Sequence, residues 1–175
     1  MELFDSIVGG KWWKIDFHLH SPGSYDYGHG DEAQKNTTPE EFLLACMKKE
    51  LDCVVIADHN TFNWIPKLRS ALESMRENKV EGFREITIFP GIELNVQGNI
   101  HLLGIFDQEV LNAIPFMVKY DPEIETTNMA LNEVIDEIVK KNGIAIPAHV
   151  DGPSGLFFEG SKPSIIRSAL KTDNL

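Results

Sequence analysis

Short apolar runs of strand length alternate along this chain with stretches whose apolar residues recur every three or four positions. Ile15 to Leu19 reads as a short strand. Thr38-Pro39-Glu40-Glu41 then opens a helix: Thr38 can cap it, Pro39 suits the first helical position, and Glu41 completes a capping box. Phe42, Ala45, Cys46 and Lys49 share one face of that helix. Cys53 to Ala57 is a continuous apolar run, as expected for a strand covered on both faces. Trp64, Leu68, Leu72 and Met75 return to helical spacing. Ile86 to Ile92 and Ile100 to Phe106 are strand candidates joined through the turn Gln97-Gly98-Asn99. Leu131, Val134, Ile135, Ile138 and Val139 form the cleanest amphipathic helix, and Gly143 is placed to end it. Ile144 to Ala148 is a fifth strand, and Ser161 to Leu170 a further helix. Phe106 to Thr126, with Pro115 and Pro122, reads as a long irregular surface loop.

Strands alternating with helices predict a largely parallel sheet with helices outside, either a barrel or an open sheet. The 175 residues fit one domain, and 42% apolar with 25% charged residues is ordinary globular composition. Charge narrows the picture. A formal net charge of −11 repels a phosphate backbone unless bound cations reverse the field locally, so the bare chain is a poor nonspecific nucleic-acid binder. The two cysteines, Cys46 and Cys53, form no CxxC pair and read as buried reduced thiols. With no signal-peptide pattern at the N-terminus and no long apolar span, the expected location is cytoplasmic, with no membrane partner.

The histidines sit in a pattern tied to the strands. His18 and His20 close the first, His59 follows the second, Glu93 the third, and His149 the fifth. Ends of parallel strands face one side of a sheet, so these groups would meet at one mouth. His101 lies at the start of its strand and joins them only if Gln97-Gly98-Asn99 reverses the chain. The spacing of His18 and His20 puts both imidazoles on one strand face, roughly 6–7 Å apart along it. Neutral imidazoles so placed can converge on zinc, manganese or iron, and a carboxylate such as Glu93 can bridge two ions. Singly, each residue has a plainer explanation as a surface polar group; the joint pattern points to a shared metal site. His29, in a Tyr/Gly loop after no strand, reads as an exposed loop residue.

Asp16-Phe17-His18-Leu19-His20-Ser21 resembles the first motif of PHP domains, the polymerase-and-histidinol-phosphatase superfamily. Ala57-Asp58-His59-Asn60 resembles the second, Gly91-Ile92-Glu93 with Ile100-His101-Leu102-Leu103-Gly104 the segment carrying a bridging glutamate and another histidine, and Ala148-His149 the third. The resemblance runs from about Trp12 to Asp151. It implies a distorted (β/α)7 TIM-like barrel and two or three divalent metal ions. It implies that His18, His20 and Glu93 hold one ion, that Glu93, His101 and His149 hold a second, and that Asp26 and His59 serve a third. Lys11-Trp12-Trp13-Lys14 through Tyr25-Asp26-Tyr27-Gly28 resembles a narrower group, in which an N-terminal PHP domain precedes an AAA-type ATPase region. PHP domains finish with an Asp-x-His motif, and none follows His149 in these 175 residues. The expectation is therefore a single PHP domain over residues 1–175, incomplete at its C-terminus, with a downstream ATPase region in a longer protein.

The activity this implies is metal-dependent hydrolysis of a phosphate ester, whether a phosphomonoester, a nucleotide or a nucleic-acid phosphodiester. His18, His20, Glu93 and His149 would carry it, and Asp58 would orient a ligand from behind. The alternatives are a metal-stabilised regulatory or docking module of a larger ATPase without catalysis of its own, and, further off, an amidohydrolase. Lys162 and Arg167 are candidates for phosphate capture by position only.

Overall fold

The computed structural model describes residues 10, 12–107, 120–121, 126–127, 129–158, 163–169 and 171. In chain order the elements are β1 (Ile15–Leu19), α1 (Glu32–Lys35), α2 (Pro39–Lys48), β2 (Cys53–Ile56), α3 (Ile65–Glu77), β3 (Thr87–Val96), β4 (Ile100–Ile105), β5 (Tyr120–Asp121), β6 (Thr126–Thr127), α4 (Leu131–Lys140), β7 (Ile144–Pro147) and α5 (Pro163–Ala169).

Local chemistry accounts for several boundaries. The Thr38 side chain accepts a hydrogen bond from the Glu41 N–H, and the Glu41 carboxylate accepts one from the Thr38 N–H at 2.8 Å, so α2 starts with a complete capping box. Its buried face is Phe42, Leu43, Cys46 and Met47. Ala45 and Lys49, expected on the inner face, are exposed, because the neighbouring sheet and α3 meet the helix about one position round. At the end of α4 the left-handed position falls to Asn142 (φ 57), not Gly143. Gly143 is required for a different reason: a Cβ there would lie 2.5 Å from the Phe106 ring.

The sheet order is β1-β2-β3-β4-β7. β1, β2 and β3 are parallel, β4 is antiparallel to β3, and β7 is antiparallel to β4. The sheet is thus mixed rather than largely parallel, with β4 the reversed strand. Gly98 (φ 90) and Asn99 (φ 58) make the reversal, which brings the start of β4 to the side where the other strands end. The five strands curl into a half-barrel, a mixed α/β architecture consistent with part of a TIM-like barrel. Most of the expected loop from Phe106 to Thr126 lies outside the described residues; within it Tyr120–Asp121 and Thr126–Thr127 pair as a short antiparallel ribbon.

Helices cover the outer face. α2 and α3 pack on Val54, Ile56 and Ile88, while α4 packs on Ile92, Leu94, Ile100 and Leu102. Strand alternation then turns His18, Val55, Gly91, Glu93, Asn95, His101 and Leu103 to the inner face, a register shift in β1 separating His18 from Asp16, which pairs with Val54. Gly91 has to be glycine there, since a Cβ would stand 2.4 Å from Val55 Cγ1 and 2.9 Å from the Ile56 carbonyl oxygen. Cys46 and Cys53 are both buried and free. Among the described residues no helix is long and apolar enough to cross a membrane.

Candidate metal centre

Glu93 is the hub. It is 1% exposed, near the end of β3, where its N–H donates to the Asp58 carbonyl (3.1 Å) and its carbonyl accepts from the Asn60 N–H (2.9 Å). These bonds extend the β2–β3 pairing past the end of β2 and place His59 directly beside Glu93. The two carboxylate oxygens divide their neighbours. Oε2 lies 3.0 Å from His18 Nε2, 3.1 Å from His20 Nε2 and 3.5 Å from His59 Nε2. Oε1 lies 2.8 Å from His101 Nδ1 and 3.2 Å from His149 Nε2.

The five imidazoles close a ring around that carboxylate. Successive ring centroids are 5.0 Å (His18 to His20), 4.9 Å (His20 to His59), 5.0 Å (His59 to His101), 5.1 Å (His101 to His149) and 6.0 Å back from His149 to His18. Asp26 joins outside it, with Oδ2 3.4 Å from His59 Nε2. Three triads keep one donor atom each within 4.8 Å of the others: His18, His20 and Glu93; His20, Asp26 and His59; His59, Glu93 and His101. All seven residues expected to hold metal thus meet in one place. His59 joins Glu93 and His101 in the third of these triads, while His149 shares Glu93 Oε1 with His101.

Asp58 stands apart from the ring. It is buried, and its carboxylate accepts from the Ser21 N–H (2.6 Å) and the Ser21 hydroxyl (2.5 Å). It fixes the residue after His20 and so joins the first strand end to the second. The expected place of Asp58 behind the ligands corresponds to this anchor on the residue beside His20. His29 is exposed. Arg167 is exposed on α5, and Lys162 lies outside the described residues.

Three polar residues were not anticipated. Ser21 is the partner of Asp58. Ser24, buried, donates from Oγ to Asp26 (2.8 Å) and accepts from the His59 N–H (3.2 Å), holding two candidate ligands at once. Asn95, the cross-strand neighbour of His101, is buried on the face of Glu93, and its Oδ1 has no hydrogen-bond partner. A serine two residues before an aspartate is a recognisable turn signal that could have marked Ser24, and the two-residue spacing from Glu93 could have turned Asn95 inward; nothing in the sequence pairs Ser21 with Asp58.

Electrostatics follow the geometry. Burial alone would raise the Glu93 carboxyl, but the hydrogen bonds from His101, His18 and His20 outweigh it and hold the group ionised far below the carboxylate range. Burial pulls His20 down, yet the adjacent Glu93, with Asp26 and Asp58, leaves it above its ordinary value. For His59 burial wins over Glu93 and Asp26, and the ring sits below its ordinary value. Asp26 is lowered, burial being offset by the Ser24 hydroxyl and by His59 and His20. Asp58 is raised by burial despite its two bonds from Ser21.

This donor set fits divalent cations. His18 Nε2 and His20 Nε2 face each other at 3.2 Å while both address Glu93 Oε2. Hydrogens on both nitrogens would crowd one oxygen, whereas lone pairs on both can serve a shared ion. Imidazole with carboxylate suits zinc, manganese or iron.

No protein-family model matches the chain, and no curated protein matches it. Among solved structures, an amidohydrolase from Chromobacterium violaceum, solved with bound sulfate and no metal, aligns over 90% of this chain and 72% of its own, with TM-score 0.55 and 14% identity. A protein described as a metal-dependent phosphoesterase from Bifidobacterium adolescentis aligns over 90% and 74%, with TM-score 0.52 and 15% identity. The lesion-specific endonuclease PfuEndoQ from Pyrococcus furiosus aligns over 82% of this chain, with TM-score 0.55 and 18% identity; the matched part is 36% of the endonuclease. At these identities the likeness establishes a shared fold.

Proposed function

We propose that this chain is a PHP-type domain that hydrolyses phosphate esters with two or three divalent ions held by His18, His20, Asp26, His59, Glu93, His101 and His149. The observation that carries the proposal is the division of Glu93: one buried carboxylate presents Oε2 to His18 and His20 and Oε1 to His101 and His149. A carboxylate so placed could serve cations on both sides while offsetting part of the charge each brings. The structural likeness to a metal-dependent phosphoesterase and to an endonuclease supports the reaction class.

Divalent ions bound there supply polarisation of phosphoryl oxygens and deprotonation of water near neutral pH. The protein's part is positional. Glu93 stays ionised because imidazoles surround it, and it keeps the two halves at fixed separation. Asp58 locks Ser21 and thereby the strand end bearing His18 and His20. Ser24 holds Asp26 against His59. Asn95 offers a buried carbonyl on the same face, available to a ligand or an ordered water.

The deciding experiment is hydrolysis of a panel of phosphomonoesters and phosphodiesters by wild type and His18→Ala in the presence of zinc, manganese or iron. The catalytic reading expects at least a hundredfold loss in the variant; unchanged turnover would overturn it. A metal-stabilised docking or regulatory module without catalysis of its own is the alternative that the same experiment separates. That reading expects metal uptake without hydrolysis.

A further inference from the structure

We infer that the loop after β7, residues 149–158, is a clamp that sets His101 and His149 together on Glu93 Oε1, and that Gly155 is the positioning residue that allows it to close. The inference rests on the metal-centre reading above.

His149 has φ 25, a left-handed backbone that a non-glycine residue adopts only under strain. Such a residue persists where its surroundings leave it no choice. Here the Gly152 N–H donates to the His149 carbonyl at 2.7 Å, the Phe157 N–H to the Val150 carbonyl at 2.7 Å, and the Gly155 N–H to the Gly152 carbonyl at 2.9 Å. The loop folds back so tightly that a Cβ on Gly155 would fall 2.2 Å from the His149 oxygen and 2.6 Å from the Val150 carbonyl carbon and oxygen. These are backbone atoms, so no side chain can swing aside to make room.

The same loop grips β4. The His101 N–H donates to the Ser154 carbonyl (2.9 Å), the Ala148 N–H donates to the His101 carbonyl (3.0 Å), and Asn99 Nδ2 donates to Ser154 Oγ (3.0 Å). Both backbone groups of His101 are therefore held by the segment that carries His149. The His101 and His149 rings end 5.1 Å apart and share one oxygen of Glu93. His18 and His20 are fixed separately, by β1 and the Ser21–Asp58 anchor. The two halves of the centre are thus built by different pieces of chain, and one can be loosened without the other.

Co2+ titration of the metal-free full chain, followed by visible absorption and equilibrium dialysis, tests this. Gly155→Ala is expected to lose the Co2+ equivalent that His149→Ala loses. The Gly155→Ala, His149→Ala double variant should match His149→Ala alone, whereas the loss should add to that of His18→Ala. A general destabilisation would not produce that pattern. Gly10→Ala, whose Cβ would meet nothing within 4 Å, should bind as wild type within a fewfold. Asn99→Gly, which keeps the turn but removes the bond to Ser154, should weaken the same equivalent about fivefold and serves if Gly155→Ala does not fold. Wild-type Co2+ uptake matched by both Gly155→Ala and Asn99→Gly would overturn the clamp. Wild type taking up no Co2+ would instead overturn the metal reading of the site.

Discussion

Gly91→Ala probes how the inner face beneath the site is packed. The added Cβ would stand 2.4 Å from Val55 Cγ1 and 2.9 Å from the Ile56 oxygen, against an ordinary contact that begins at 3.4 Å. Val55 is 1% exposed and has no free direction in which to move. The strain must be taken up by an off-rotamer Val55, by separation of β2 from β3, or by both. Overpacking of a closed core costs about 1–3 kcal/mol and an off-rotamer side chain about 1 kcal/mol. The expected destabilisation is therefore about 2–4 kcal/mol, or a fall in Tm of about 4–16 °C for a chain of this size. Denaturant unfolding followed by circular dichroism measures the first, and thermal unfolding the second. Val55→Ala removes the Cγ1 contact, so in the Gly91→Ala background it should cost at least 1 kcal/mol less than in wild type. A Gly91→Ala midpoint equal to wild type, or a strictly additive double variant, would refute the packing account.

Asp58→Ala strands the Ser21 N–H and hydroxyl and should cost about 2–4 kcal/mol by denaturant titration. Asp58→Asn can accept from the N–H and donate to the hydroxyl, so it should retain most of that stability; equal losses in the two variants would argue against the anchor. Burial pushes the Cys46 thiol up to about 11. A raised thiol pKa means the fold favours the protonated form, so this contribution to stability is complete below the ordinary thiol range and is lost as pH rises towards 11. Native protein should accordingly resist alkylation at Cys46 at pH 8.5 and react once unfolded in urea, as mass spectrometry of the modified peptide can show; rapid native labelling there would contradict the burial.

Much of this arrangement is legible in the sequence. The run Ile15 to Leu19 is a strand at those residues, and the Thr38–Glu41 box starts α2 where the side-chain chemistry requires. The reversal at Gly98 and Asn99 could be read from residue type, and with it the turning of His101 to the common mouth. What escaped was set by tertiary contact. The face α2 buries depends on where α3 and the sheet touch it. Gly143 looks like a helix stop, but the Phe106 ring is what excludes a side chain there. Asp58, expected behind the ligands, takes Ser21 as its partner, a pairing that only the meeting of two strand ends can set. No periodicity could have assigned His59 to the same carboxylate oxygen as His18 and His20, or His149 to the other one.

In the proposed site one buried carboxylate joins two sets of imidazoles around shared cations. The most direct test is the metal content of wild type and Glu93→Gln, each purified without chelator, reconstituted with zinc, manganese or iron, and measured by elemental analysis beside a circular dichroism spectrum. Two or three equivalents are expected in wild type and fewer than one in a folded Glu93→Gln variant. A wild type that retains no stoichiometric metal, or a variant that keeps the full complement, would contradict it.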